Sequence, residues 1–320
     1  MNWYSGLESF VRVDEPLAER TTFAIGGRAA YFVEPTTEAE FAAGYAAAMR
    51  SRLPVFILGG GSNLLVSDKG VPGVVICTTK MADKSMPAQS HSSFSAHAAG
   101  SLVQLRAGTS LEKAVLWTAR AGLSGLECLA GIPGTVGGAV RMNAGGRYGM
   151  ICDAIHAVWC VDRQGRIYMR NASDIQWGYR ATDLGDPIVR VGFDLQRKPP
   201  EAVRLQRSKI LSEKRSSQPV QQHSAGCFFK NPGEEKAGEL IEMAGLKGYR
   251  VGEACVSPKH ANFIVNLGGA TANDVLALSD TVRDRVYAEF DVSLENEVST
   301  WGLPRERPPV NRLFVSPARV

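Results

Sequence analysis

Apolar residues along this chain fall into short runs separated by glycine and proline, with helical periodicity in several of the intervals between them. Thr37 followed by Glu40 has capping-box spacing and predicts an Ala-rich helix ending near residue 50. Pro54 then leads into Val55-Phe56-Ile57-Leu58, the pattern of a short buried strand, which runs into a glycine loop at 59–63 and on to Leu64-Leu65-Val66. Val74-Val75-Ile76 reads as another strand. Residues 80–97 have no clear period and are expected to be a loop entering a strand. A helix is predicted over 111–121, closed by Gly122. Residues 155–161 and 166–170 are β-like and joined by Asp162-Arg163-Gln164-Gly165, a hairpin turn, and 188–195 is a further strand.

Pro199-Pro200 punctuates the chain and opens a charged helix over 201–214. A strand near 226–229, a helix over 236–244 stopped by Gly245, a strand over 262–266 and a long helix over 271–290 follow. The last residues, rich in Pro and Arg, read as an exposed tail. The expected organisation is three units, 1–78, 79–199 and 200–320.

At 320 residues, with 44% hydrophobic and 21% charged positions, the chain has the composition of a globular protein with sizeable cores. Lys and Arg exceed Asp and Glu by 36 to 32, a formal charge of +4. That excess is scattered and too small to point to nucleic acid, though it suits a cleft for an anionic small molecule. Six cysteines without a C-x-x-C pair read as free thiols of a reducing cytoplasm. The N-terminus lacks the layout of a signal peptide, and no apolar run approaches the ~18 residues that span a bilayer. No metal site is expected.

Two glycine loops carry candidate chemistry. Gly59-Gly60-Gly61-Ser62-Asn63 follows a buried strand, so its backbone N–H groups can converge on an anion that approaches the main chain closely. It is neither a Rossmann nor a Walker fingerprint, and on its own a tight turn explains it equally well. The second loop, Gly131-Ile132-Pro133-Gly134-Thr135-Val136-Gly137-Gly138, continues into Met142-Asn143-Ala144-Gly145. Two such loops in one domain suit a long ligand of dinucleotide shape.

These two segments, together with Thr21-Thr22-Phe23-Ala24-Ile25-Gly26-Gly27, resemble the flavin domain of the UDP-N-acetylenolpyruvoylglucosamine reductase family, and the likeness continues to Glu297. The resemblance implies an α+β fold: an FAD-binding domain of the vanillyl-alcohol oxidase/p-cresol methylhydroxylase type, built from two α+β subdomains, plus a C-terminal α+β substrate-binding domain. It implies bound FAD, NADPH as reductant, and reduction of UDP-N-acetylglucosamine enolpyruvate to UDP-N-acetylmuramate. By the same resemblance, Gly59, Gly60, Gly61, Ser62 and Asn63 lie along the FAD diphosphate, Ile132, Pro133, Gly134, Thr135, Gly137 and Gly138 along its ribityl and ring side, and Thr22 is a further cofactor-binding residue. The short interval between Arg180 and Cys227 resembles the shorter, second subclass. Gly146-Arg147-Tyr148 departs from the usual Ala-Tyr-Gly run there.

Reducing an enolpyruvyl ether calls for a cation at the carboxylate and a proton donor opposite the flavin. The resemblance assigns Arg180, in Tyr179-Arg180, to the carboxylate, since a guanidinium keeps its charge and its planar fork. It assigns Cys227, in Ser224-Ala225-Gly226-Cys227-Phe228-Phe229, to proton donation, and Glu297, in Leu294-Glu295-Asn296-Glu297, to catalysis beside them. On a strand Glu295 and Glu297 would share a face, so spacing alone does not choose between them. Asn231, Tyr179, Lys214, Arg215 and Lys259 are the candidate substrate contacts. Rival readings are a flavoenzyme of the same fold with another substrate, and a binding protein that has kept the scaffold.

Overall fold

The computed structural model describes residues 2–85 and 100–304, so most of the 80–97 loop and the tail from 305 lie outside the described residues. Strands β1 (Val11–Pro16) and β2 (Arg28–Val33) pair antiparallel. Helix α1 (Glu38–Arg50) follows, then β3 (Val55–Leu58), β4 (Leu64–Val66) and β5 (Val71–Cys77). The first sheet has the order β1-β2-β5-β3, with β5 parallel to both of its neighbours. The capping box at α1 forms in both directions: Thr37 Oγ1 accepts from the Glu40 N–H at 3.1 Å, and the Glu40 carboxylate accepts from the Thr37 N–H. The helix buries Phe41, Ala42, Tyr45 and Ala48 against Val33, Val74 and Ile76 of the sheet.

The next unit comprises β6 (Gly100–Arg106), α2 (Leu111–Arg120), β7 (Leu123–Ser124) and α3 (Val136–Arg141). Two small hairpins and a sheet strand pair follow: β8 (Gly145–Gly146) with β9 (Gly149–Met150), then β10 (Ile155–Val161) with β11 (Ile167–Asn171), then β12 (Trp177–Gly178) with β13 (Ala181–Thr182). β14 (Ile188–Arg197) completes an antiparallel sheet of order β11-β10-β14-β6, with β7 on the far end of β14. Its core holds Val103, Leu105, Val158, Val191 and Phe193 beneath α2 and α3. Gly122 ends α2 with φ 67°, a left-handed conformation that costs a glycine nothing.

Helix α4 (Pro200–Ser217) starts with proline in its first turn, where the missing N–H is no loss. The last unit is β15 (His223–Cys227), α5 (Ala237–Met243), β16 (Arg250–Val251), β17 (Ala254–Val256), β18 (Phe263–Asn266) and α6 (Ala272–Phe290). Its sheet runs β15-β18-β17-β16, and α6 packs Val275, Leu278, Val282 and Val286 into the core beneath it. β15 starts three residues earlier than the strand expected near 226, because its pairing with β18 begins at His223 opposite Asn266. The chain then returns to the first unit: β19 (Ser299–Trp301) lies parallel to β4, which is thereby drawn off the first sheet. Nothing in the local pattern of 64–66 announces that pairing.

Candidate active site

The site forms where this returning segment crosses the units. Cys227 closes β15 at a β-bulge: Ser224 faces Val265 while Cys227 faces Phe263, so three steps on one strand match two on the other. Gly226 makes the bulge possible. Its φ is 82°, and a Cβ there would touch nothing, so backbone conformation alone requires glycine. Beyond the bulge the strand is clamped on both sides. Asn262, buried, accepts from the Phe229 N–H at 2.9 Å and donates to the Phe229 carbonyl at 2.8 Å. On the other side the Glu297 N–H donates to the Phe228 carbonyl at 2.8 Å, and the Lys230 N–H to that of Glu295 at 2.8 Å.

That pairing separates the two glutamates that spacing could not. Glu295 turns outward, its side chain 67% exposed, and meets Lys230. Glu297 is 13% exposed and accepts from Arg180 Nε at 2.6 Å, across 117 residues of chain. Arg180 sits in the two-residue turn between β12 and β13 with φ 55°. A left-handed conformation costs a non-glycine residue about 1 kcal/mol, and here the surrounding contacts hold it. Its Nη2 donates to the Gly145 carbonyl at 3.1 Å, its guanidinium lies 5.0 Å over the Tyr179 ring, and its Nη1 is buried with no protein partner among the described residues. A buried charged N–H is expensive to leave unpaired, so this atom marks where an anionic ligand group would be received.

The electrostatics tie four groups together. Burial, and next the Glu297 carboxylate, push the partly buried Cys227 thiol up to about 12, while Arg180 and Lys214 pull the other way. Burial raises the Glu297 carboxyl above its ordinary range against the opposing guanidinium. Lys214, reaching from α4, is brought down to about 8 chiefly by burial. A thiol that stays protonated at neutral pH, a fixed cation with one free N–H and a carboxyl on that cation's back can protonate an anionic carbon beside a carboxylate.

The glycine loops face each other. A Cβ on Gly60 would lie 2.8 Å from the Gly134 Cα, one on Gly59 2.5 Å from Thr135 Oγ1, and one on Gly134 2.6 Å from Ser62 Oγ. These glycines thus let two backbones touch. The Ser62 and Asn63 side chains, expected to reach a ligand, are engaged within the protein: Ser62 Oγ donates to the Pro133 carbonyl at 3.2 Å, and Asn63 Nδ2 to the Glu297 carbonyl at 3.1 Å. The backbone N–H groups of Gly60, Gly61, Ser62 and Asn63 donate to no protein acceptor among the described residues. Free main-chain donors at adjoining loops fit the diphosphate of a dinucleotide. Thr22 joins this cluster, its hydroxyl donating to the Ser224 carbonyl at 2.7 Å and its N–H to that of Gly61 at 3.1 Å. Thr135 caps α3, Gly137 is buried with its N–H on the Ala107 carbonyl, Ile132 packs on the core and Gly138 is exposed.

Comparison with known proteins decides the family. The UDP-N-acetylenolpyruvoylglucosamine reductase C-terminal domain matches residues 218–301, and an FAD binding domain matches 29–169. UDP-N-acetylenolpyruvoylglucosamine reductase of Syntrophobacter fumaroxidans is 40% identical over 286 residues, 89% of this chain and 81% of that protein. Reductase 2 of Symbiobacterium thermophilum is 42% identical over 296 residues, 91% and 92% of the two chains. The chain belongs to the UDP-N-acetylenolpyruvoylglucosamine reductase family. The crystal structure of the reductase of Thermus caldophilus superposes with a TM-score of 0.75 at 39% identity, over 91% of this chain and all of that one. The α+β fold expected from the resemblance is therefore borne out, and with it a UDP-N-acetylenolpyruvoylglucosamine reductase-type, FAD-dependent oxidoreductase.

Within this family fold, the remaining candidates fall in two places. Asn231 and Tyr179 meet, the Asn231 N–H donating to the Tyr179 hydroxyl at 3.4 Å, while the Asn231 side chain accepts from the Ala237 N–H at the start of α5. Lys259 instead donates to the Arg215 carbonyl at 2.6 Å, tying down the C-terminal end of α4, and Arg215 is exposed beside it. Asn262 and the Gly145 carbonyl, which hold the strand of Cys227 and the Arg180 fork, carry no sequence signal beyond lying inside matched motifs. No helix among the described residues is long and apolar enough to cross a membrane.

Proposed function

We propose that this chain performs the NADPH-driven reduction of UDP-N-acetylglucosamine enolpyruvate to UDP-N-acetylmuramate, with Cys227 as proton donor, in the cytoplasm. Residues 1–78 and 79–199 clasp FAD, and 200–320 bind the nucleotide sugar. When bound, the flavin supplies the hydride that reaches the terminal alkene carbon. Arg180 Nη1 receives the substrate carboxylate, and its fixed charge stabilises the negative charge that develops there. Glu297 holds Nε, which orients the fork.

Cys227 then protonates the carbon that bears the carboxylate and ether oxygen. Its thiol, raised to about 12, is fully protonated at working pH, and an enolised carboxylate is basic enough to take that proton. The Arg180 and Lys214 charges favour the thiolate left behind. Lys214 also faces the pocket as the diphosphate contact.

The observation that carries this reading is the meeting of Arg180 and Glu297 next to Cys227, with one guanidinium N–H buried and free. The experiment uses the FAD-loaded protein. NADPH bleaches its yellow colour, and UDP-N-acetylglucosamine enolpyruvate restores it. Cys227→Ala keeps bleaching but loses product formation, and Cys227→Ser retains measurable turnover. Normal turnover by Cys227→Ala removes the thiol from the reaction.

A further inference from the structure

The departure at Gly146-Arg147-Tyr148 has a structural partner that the reading above leaves unused. Arg147 and Tyr148 form the two-residue turn between β8 and β9, a hairpin so close that a Cβ on Gly145 would lie 2.4 Å from the Gly149 carbonyl oxygen. At its tip the Arg147 guanidinium covers the Tyr148 ring at 4.7 Å, and both side chains bond the carboxylate of Glu213 on α4. At its base the Gly145 carbonyl takes Arg180 Nη2 at 3.1 Å. One short hairpin therefore touches the carboxylate-binding arginine at one end and α4 at the other.

Glu213 directly precedes Lys214. The Lys214 side chain runs back over the second glycine loop, its Cδ 3.1 Å from where a Gly131 Cβ would stand. The Glu213 grip and the Lys259 bond to the Arg215 carbonyl thus bracket Lys214 from either side. Arg147 is 70% exposed, and an exposed ion pair contributes only about 0–1 kcal/mol to stability. Folding alone gains little from such a contact, and it falls on the residue that directly precedes Lys214.

We infer that Glu213, gripped by Arg147 and Tyr148, is a positioning residue that fixes α4 so that Lys214 faces the nucleotide diphosphate. The inference rests on the reading of Lys214 as a diphosphate contact.

UDP binding to the FAD-loaded protein, measured by titration calorimetry, tests it. Glu213→Gln and Tyr148→Phe weaken UDP binding roughly three- to tenfold, ~0.6–1.4 kcal/mol at RT ln of that ratio. Flavin content and the rate of flavin reduction by NADPH stay at the wild-type level in both. The paired exchange Arg147→Glu with Glu213→Arg recovers binding that Glu213→Gln loses. Wild-type affinity in Glu213→Gln overturns the inference, as does an equal loss in flavin reduction. Lys214→Met separates the two levels. If it weakens UDP binding and Glu213→Gln does not, only the latch falls; if neither does, the role of Lys214 falls with it.

Discussion

The thiol of Cys227 should titrate far above an ordinary cysteine. A rise from a usual 9.0 to about 12 lowers the thiolate fraction at pH 8 roughly a thousandfold. A more basic thiolate is also a better nucleophile, with a Brønsted slope of about 0.4–0.5, which returns a factor of roughly 15 to 30. Alkylation of Cys227 by iodoacetamide at pH 8 should then run roughly 30 to 70 times slower than that of a free thiol. The rate should climb about tenfold per pH unit through pH 10 without a plateau. Quenched time points, digested and quantified by mass spectrometry, read each cysteine separately. Cys128, half-buried and pushed up to about 11 mainly by burial, serves as an internal reference.

The neighbours fix the sign of two variants. Glu297 raises the Cys227 value and Lys214 lowers it. Glu297→Gln should therefore move the profile down, and Lys214→Met should move it further up. A plateau with its midpoint at or below pH 9 in the wild-type protein would refute the placement of a buried thiol against the Glu297 carboxylate. An unchanged profile in Glu297→Gln would refute their proximity.

Two further outcomes follow from packing. Gly60→Ala places a Cβ 2.8 Å from the Gly134 Cα, where carbon atoms normally keep about 3.5–4.0 Å, so the two loops must part. Its flavin-to-protein absorbance ratio after gel filtration should fall well below wild type, while Gly185→Ala, in open space, should not change it; a fully loaded Gly60→Ala would count against the loops as the cofactor cradle. Asn262→Ala leaves the buried N–H and carbonyl of Phe229 without their partners, a loss of roughly 2–5 kcal/mol that calorimetric melting should show as a fall of about 3–7 °C; a melting temperature within a degree of wild type would show that the strand of Cys227 does not depend on this clamp.

Most elements were legible because their signals are local. The Thr37–Glu40 box, the Gly122 stop, the Asp162–Gly165 turn and the proline at the head of α4 each act within a few residues, and each stands where the pattern predicted it. The residues that carry the family likeness are legible in the same sense, since they lie in contiguous motifs. Tertiary structure decided the rest. Glu297 rather than Glu295 faces Arg180 because the segment pairs with 228–230 in one register and not the next. The Asn63 side chain bonds the Glu297 carbonyl because β19 comes back to β4 across more than half the chain. Periodicity and caps are properties of neighbouring residues, whereas which carboxyl, amide or ammonium enters a site depends on pairings between strands that the chain brings together only after folding.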